Sequence, residues 1–525
     1  MPPTAPNALR ARLLAVVVAL ALPLTFLAPL PASAATWSLK ASGGGSTTAA
    51  EGKKLTVRYL KNGDAVRGAA VRLQRKKNGS WSTIRTVRTG SQGRVSTRVH
   101  PSSTRKFRFR TGRTTSASLT VRILPARFAI TGSGSGHGVG LAQWGAYEKS
   151  RNGRSAAEIL DYYYPGTRLS TANDPRTTLD VQVLGPPADS RRRTDLSIGS
   201  GRWRLLAGNG AVMATGAASR QVRIEVTSTG LKATVRQDGE RVGSVVKRSS
   251  LAFEWSGTRD YRPSATKAVA HVAGAQGTYR NGRLVLTNLS GRPNVVNQVV
   301  INTEYLYGLD EMPSGWASSK NGGTAALQAQ AIVARNYAIR AKVAGHRPAC
   351  GCHVYDDTRS QNYTGWKKEG GPWGGAWSAA VDATVQDGTV SVLRDGGGGF
   401  AETPYFASSG SAGGRRGTGA NADVFGTTPL PYLVHVPDPA SARAPGNPYV
   451  SWTDSISQDR AGDIFGVGWV RTVSVTSRWS SGQVRTLQAT SAGGKKVSRT
   501  KTAEGWRTAL GLRGSWVRAI DGRTR

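Results

Sequence analysis

Cysteine is almost absent from the 525 residues; only Cys350 and Cys352 occur. Two thiols cannot make a disulfide framework, so hydrophobic cores must carry the fold. Acidic residues are also scarce, 31 against 71 Lys and Arg, for a net charge of +40. A chain this basic needs an anionic neighbour: nucleic acid, a membrane surface or an acidic polymer. Hydrophobic content is still 38%, which excludes a disordered polycation. After residue 30, no apolar run is long enough to span a bilayer.

The one long apolar run stands at the start. Arg10 and Arg12 precede Leu13 to Leu30, and Ala32-Ser33-Ala34 follows. A charged start, an apolar centre and a small-residue end predict a signal peptide over 1–34, cleaved before Ala35. An uncleaved anchor helix is the alternative; Pro23, Pro29 and Pro31 weigh against it. An exported basic protein meets anionic wall polymers, so nucleic acid is not expected as a partner. An oxidising exterior also permits Cys350 to pair with Cys352.

Residues 36–125 read as about seven short strands. Leu55 to Leu60, Ala70 to Arg75, Phe107 to Arg110 and Leu119 to Ile123 alternate, with arginine on the wet face. Asn62-Gly63, Asn78-Gly79 and Gln92-Gly93 supply turns. The spacing predicts an all-β, Ig-like sandwich. Its only acids are Glu51 and Asp64, so it either holds an anionic wall or serves as a solvated spacer. From Phe128 the texture changes. A glycine-rich loop around His137 opens a helix over 141–150, which Asn152-Gly153 ends. Ser155 to Glu158 is a capping box for the next helix. Residues 178–302 look all-β again, with no constellation that carries chemistry.

Glu311 lies in Leu309-Asp310-Glu311-Met312-Pro313-Ser314-Gly315-Trp316. Apolar neighbours predict a carboxyl with a raised pKa, suited to a general acid. A helix is expected over 325–344, capped by Thr324 and Gly345. Gln328 and Arg335 are seven apart on one face of it. His346, Cys350, Cys352 and His353 suit zinc by type but not by spacing, and a Cys350–Cys352 disulfide is the preferred reading. Tyr355 to Trp366 mixes polar and aromatic residues, as sugar contacts do, and Trp373 and Trp377 add aromatic surface. Ser408 and Ser409 lie in a loop-like stretch that either lines a cleft or forms turns.

Several of these stretches together resemble the SpoIID/LytB-domain family, which joins a sporulation cell-wall enzyme with an amidase enhancer. The likeness is carried by Glu304-Tyr305-Leu306 through Glu311-Met312-Pro313 and by Ala326-Leu327-Gln328-Ala329-Gln330-Ala331. Ala334-Arg335-Asn336-Tyr337-Ala338, Ser360-Gln361-Asn362-Tyr363-Thr364-Gly365 and Gly136-His137-Gly138-Val139-Gly140 to Ala146 extend it. It covers about 128–520, with a β-rich insertion at about 178–298 and the sandwich outside it. The resemblance implies an α+β fold of β-sheets with a few helices. It implies peptidoglycan glycan strands as substrate and lytic transglycosylase chemistry, with Glu311 as the acid and Arg335 in support. His137, Gln143, Gln328, Gln361, Tyr363, Ser408 and Ser409 are the expected substrate contacts, and no cofactor is expected. A non-catalytic enhancer of a cell-wall amidase is the alternative. Three departures stand out: the His137 motif precedes the Glu311 motif, which implies a permuted order; Gln328 stands where the family pattern has lysine; and the family's zinc-type His and Cys positions match only loosely, so the metal is not carried over.

Overall fold

The computed structural model describes residues 34–173, 177–243, 245–410 and 416–524. The expected leader lies outside them, except for Ala34. The chain forms two compact units, one from the N-terminal residues to Arg122 and one from Ile123 to the C-terminus, with Ser46–Glu51 joining the second. Among the described residues, no helix is long and apolar enough to cross a membrane.

The first unit is antiparallel throughout. One sheet has Lys53–Lys61 between Trp37–Ser42 and Arg94–Val99. Another runs in the order Leu119–Ile123, Arg105–Arg110, Ala70–Lys77, Ser80–Arg88. Alternation buries Leu55, Val57 and Tyr59 from the first sheet and Val71, Leu73, Phe107, Phe109 and Val121 from the second. Asn62-Gly63 and Asn78-Gly79 take the left-handed backbone that a tight hairpin requires.

The second unit is mostly sheet, with a buried helix, Thr324–Ala344, at its centre. One seven-stranded sheet runs Val212–Ala217, Arg202–Ala207, Ser250–Trp255, Arg283–Leu289, Arg292–Val300, Thr178–Leu184, Val354–Tyr355. The helix begins one residue earlier than its sequence implied. Gly323 is its N-cap and Thr324 is already helical, so the threonine hydroxyl does not cap it. The capping box at Ser155 and Glu158 forms in full. The helix expected at 141 starts at Gln143, because Leu141 and Ala142 pair in parallel with Tyr405 and Phe406.

That short pairing matters, because it brings the glycine loop to a segment far along the chain. A second device helps. Strand Arg127–Ser133 lies between Trp452–Ser457 and Trp516–Arg523, closing the two ends of the unit on one another. Gly132 sits where an added Cβ would come within 2.3 Å of the Trp452 ring. Replacing it with alanine should cost about 1–3 kcal/mol through overpacking. Urea unfolding of Gly132→Ala would reveal this as a lowered midpoint with an unchanged slope.

Candidate active site

Strand Arg292–Val300 runs into a single π-helical turn, Ile301–Tyr305, and the chain then reaches Glu311. Residues 308–311 run antiparallel to 362–364. Asp310 donates its N–H to Asn362 O (2.7 Å), and Thr364 donates to Gly308 O (2.8 Å). Gly308 permits this approach, since a Cβ there would meet the Tyr363 ring at 2.5 Å. The Glu311 carboxyl is half-buried, and its sequence neighbours Leu309, Met312 and Trp316 are buried. Its Oε1 accepts the Asn362 N–H at 2.7 Å, and the Tyr405 hydroxyl donates to the same carboxyl. Burial raises its pKa above the ordinary carboxylate value; those two hydrogen bonds pull the other way without cancelling it.

Tyr405 connects the site. Gln361 Nε2 donates to its hydroxyl (2.8 Å), and Tyr305 donates to Gln361 Oε1 (3.0 Å). Tyr363 stacks on Tyr305 with ring centroids 5.3 Å apart, and its own hydroxyl accepts from Asn297 (3.0 Å). The Tyr405 carbonyl takes a hydrogen bond from His137. His137 Nδ1 accepts the Val139 N–H at 3.0 Å, so both ring nitrogens hold the glycine loop in place. Burial pushes this histidine down to about 4, so it is neutral near pH 7. The histidine loop and Glu311 thus meet through one residue, Tyr405.

The remaining expected contacts divide. Gln143 Nε2 donates to the Glu311 carbonyl (3.1 Å) and lies 3.3 Å from Gln330 Oε1. Gln143 therefore holds the Glu311 backbone, and Gln361 reaches the acid through Tyr405. Gln328 is only half-buried on the central helix. Arg335 is fully buried, bonded to Asn302 Oδ1 (2.9 Å), Ser391 O (2.9 Å) and Thr384 Oγ1 (2.8 Å). It ties the helix to the strand Thr389–Arg394. Ser408 accepts from Asn447 Nδ2 (2.9 Å), and Ser409 donates to the buried carboxylate of Asp438 (2.7 Å). These two serines belong to a turn network.

Several residues here carry no sequence signal as site residues. Lys368 is buried, with Nζ donating to Asp310 Oδ1 (2.9 Å) and Met312 O (2.6 Å), on either side of Glu311. Tyr305 and Asn362 stand in motif stretches without a role of their own there, and Tyr405 is an ordinary aromatic position until the fold assembles them. Region 178–302, in which no chemistry was expected, supplies Asn297 to Tyr363 and Asp180 to a histidine pair. Trp377 is buried and donates to Leu306 O (2.8 Å). Trp373 is 59% exposed, holds a left-handed backbone (φ +63°) and flanks Gly315.

Cys350 and Cys352 form a disulfide, so neither sulfur is a thiolate ligand for zinc. His346, His353 and Asp180 offer ligand atoms within 4.8 Å of one another. However, His353 Nδ1 already accepts the Asp180 N–H (3.0 Å), and His346 Nε2 lies 2.6 Å from Asp180 Oδ2. As arranged, the donors bond to each other and do not fit a metal.

The sequence profile of the stage II sporulation protein (SpoIID) family matches residues 290–390, which hold Glu311, Arg335 and Gln361. The chain carries a SpoIID domain of the SpoIID/LytB family. Over 56 residues, 11% of this chain, it is 41% identical to the amidase enhancer of Bacillus subtilis. Over 44 residues, 8% of this chain, it is 43% identical to stage II sporulation protein D of the same organism. An uncharacterized protein of Brachyspira hyodysenteriae is 37% identical over 70 residues, 13% of this chain. The alignments span only 8%, 13% and 19% of those relatives' own lengths.

Two outcomes check this geometry. Arg335→Ala strips three hydrogen bonds from a buried position of the SpoIID domain and should cost about 2–5 kcal/mol of stability by urea unfolding. Tyr405→Phe removes a donor to the charged Glu311 carboxylate, so the Glu311 pKa should rise further. A carboxyl carbon NMR titration would follow it; an unmoved or lowered pKa would contradict the bond.

Proposed function

We propose that this protein remodels peptidoglycan outside the cell, as a lytic transglycosylase with Glu311 as its single acid and base. The observation that carries the reading is the Glu311 carboxyl itself, largely withdrawn from water and aimed by Asn362 and Tyr405. A raised pKa keeps a fraction of it protonated nearer neutral pH. Glu311 gives its proton to the glycosidic oxygen as the C–O bond breaks. The carboxylate then takes the proton of the muramic acid 6-hydroxyl, whose oxygen bonds to the anomeric carbon. The acid is restored and no water is consumed, so one carboxyl suffices where hydrolysis calls for two. Gln361 and Tyr305 hold Tyr405, Gln143 holds the Glu311 backbone, and Lys368 steadies the turn. Trp373 offers an exposed aromatic face near this turn for a sugar ring. The names of the relatives support a cell-wall role. The leader read in the sequence supports export.

A second reading is a non-catalytic protein that stimulates a cell-wall amidase. The match to an amidase enhancer favours it, as does Gln328 in place of the patterned lysine.

Purified glycan strands separate the two. Wild type should release products ending in anhydro-muramic acid, and Glu311→Gln should lower the rate by about 10²–10⁴-fold, the usual contribution of a general acid. The rate should also fall as pH rises through the raised Glu311 pKa, because the protonated form starts the reaction. Amidase stimulation that survives Glu311→Gln, with no anhydro ends from wild type, would instead establish the second reading.

A further inference from the structure

One sheet face of the N-terminal unit takes no part in the chemistry above. In strand Ala70–Lys77, Val71 and Leu73 point into the core, which puts Arg72, Gln74 and Lys76 on the other face. The register sets Arg110 opposite Arg72 and Arg108 opposite Gln74, so Lys106, Arg108 and Arg110 share that face. Trp81 lies opposite Lys76 and joins them. Arg72, Lys76, Lys106 and Arg110 are exposed.

Arg108 is held ready. Its guanidinium lies 4.3 Å from the centre of the Trp81 ring. Its Nε donates to Gln74 Oε1 (2.9 Å), while Gln74 Nε2 is fixed on Thr83 (3.3 Å). Arg72 and Arg110 stand directly opposite, and like charges so placed destabilise a sheet. No acid shares the face. Asp64 pairs with Lys61 in the other sheet, and Glu51 precedes Lys53–Lys61. The face therefore carries an electrostatic cost that a bound polyanion would relieve.

We propose that this face binds a linear phosphodiester polymer of the cell wall. Guanidinium groups match phosphate oxygens with two parallel N–H donors. Alternate residues of one strand lie about 6.7 Å apart, so Arg108 and Arg110 can each take a phosphate from one extended chain, with Arg72 beside them. This inference rests on the wall-directed reading above but not on the cutting chemistry.

The test measures binding of the full chain to a poly(glycerol phosphate) polymer between 50 and 200 mM salt, values over which such contacts are strongly screened. Log K should fall linearly with log salt. The triple variant Arg72→Gln, Arg108→Gln, Arg110→Gln should reduce that slope by about 2, since each lost phosphate contact removes about 0.7 on a single-stranded polyanion. Arg110→Gln alone should remove about 0.7 and guards against a misfolded triple. A control triple on exposed positions of the other unit, Arg471→Gln, Lys495→Gln, Lys496→Gln, changes net charge equally and should leave the slope nearly unchanged. Equal losses from both triples would reduce the binding to net charge and overturn the proposal. So would tighter binding to duplex DNA of matched charge than to the wall polymer. Polymer binding that persists while no glycan is cut would refute the transglycosylase reading alone.

Discussion

The hydrogen bond from the Asn362 N–H to Glu311 Oε1 joins positions 51 apart in sequence. Much of the candidate site follows from it. An ionised carboxyl taken partly out of water must be given donors or lose its charge. Here it receives a backbone N–H and a tyrosine hydroxyl, yet burial outweighs them and holds its pKa above the ordinary carboxylate value. The antiparallel run of 308–311 against 362–364 fixes the position of that backbone donor. Tyr405 brings the other donor from a third segment, anchored beside Leu141.

The same logic accounts for the histidine loop. His137 has its pKa lowered to about 4 by burial, so near pH 7 it serves as a neutral clasp, accepting from Val139 and donating to the Tyr405 carbonyl. The histidine loop, well ahead of Glu311 in the chain, is anchored because strand Arg127–Ser133 is held by strands from the C-terminal end. Arg335 is a buried cross-link between the helix and the strand behind it.

Charge is distributed unevenly between the two units. In the second unit about half of the described acids have cationic partners, as Arg204 and Arg283 do on Glu254 and Lys368 does on Asp310. In the N-terminal unit one acid, Asp64, faces a large excess of arginine and lysine. Both units are cationic overall, but the smaller N-terminal unit carries its excess with almost no acid to offset it.

Local pattern was enough for the elements. Alternation with Asn-Gly turns marked the N-terminal strands, Ser155 with Glu158 marked a helix start, and apolar neighbours marked Glu311. These are short-range effects, set by residues within a few positions of one another. Pattern could not reveal which distant groups would meet. Tyr405, Lys368, Asn297 and Asp180 are unremarkable in sequence, and their roles arise only from non-local pairing. Nor could it show that Arg335 turns inward to Asn302 and Thr384, or that Thr324 enters its helix instead of capping it. Which donors reach a buried carboxyl is decided by packing between segments far apart in the chain, and only the folded arrangement contains that information.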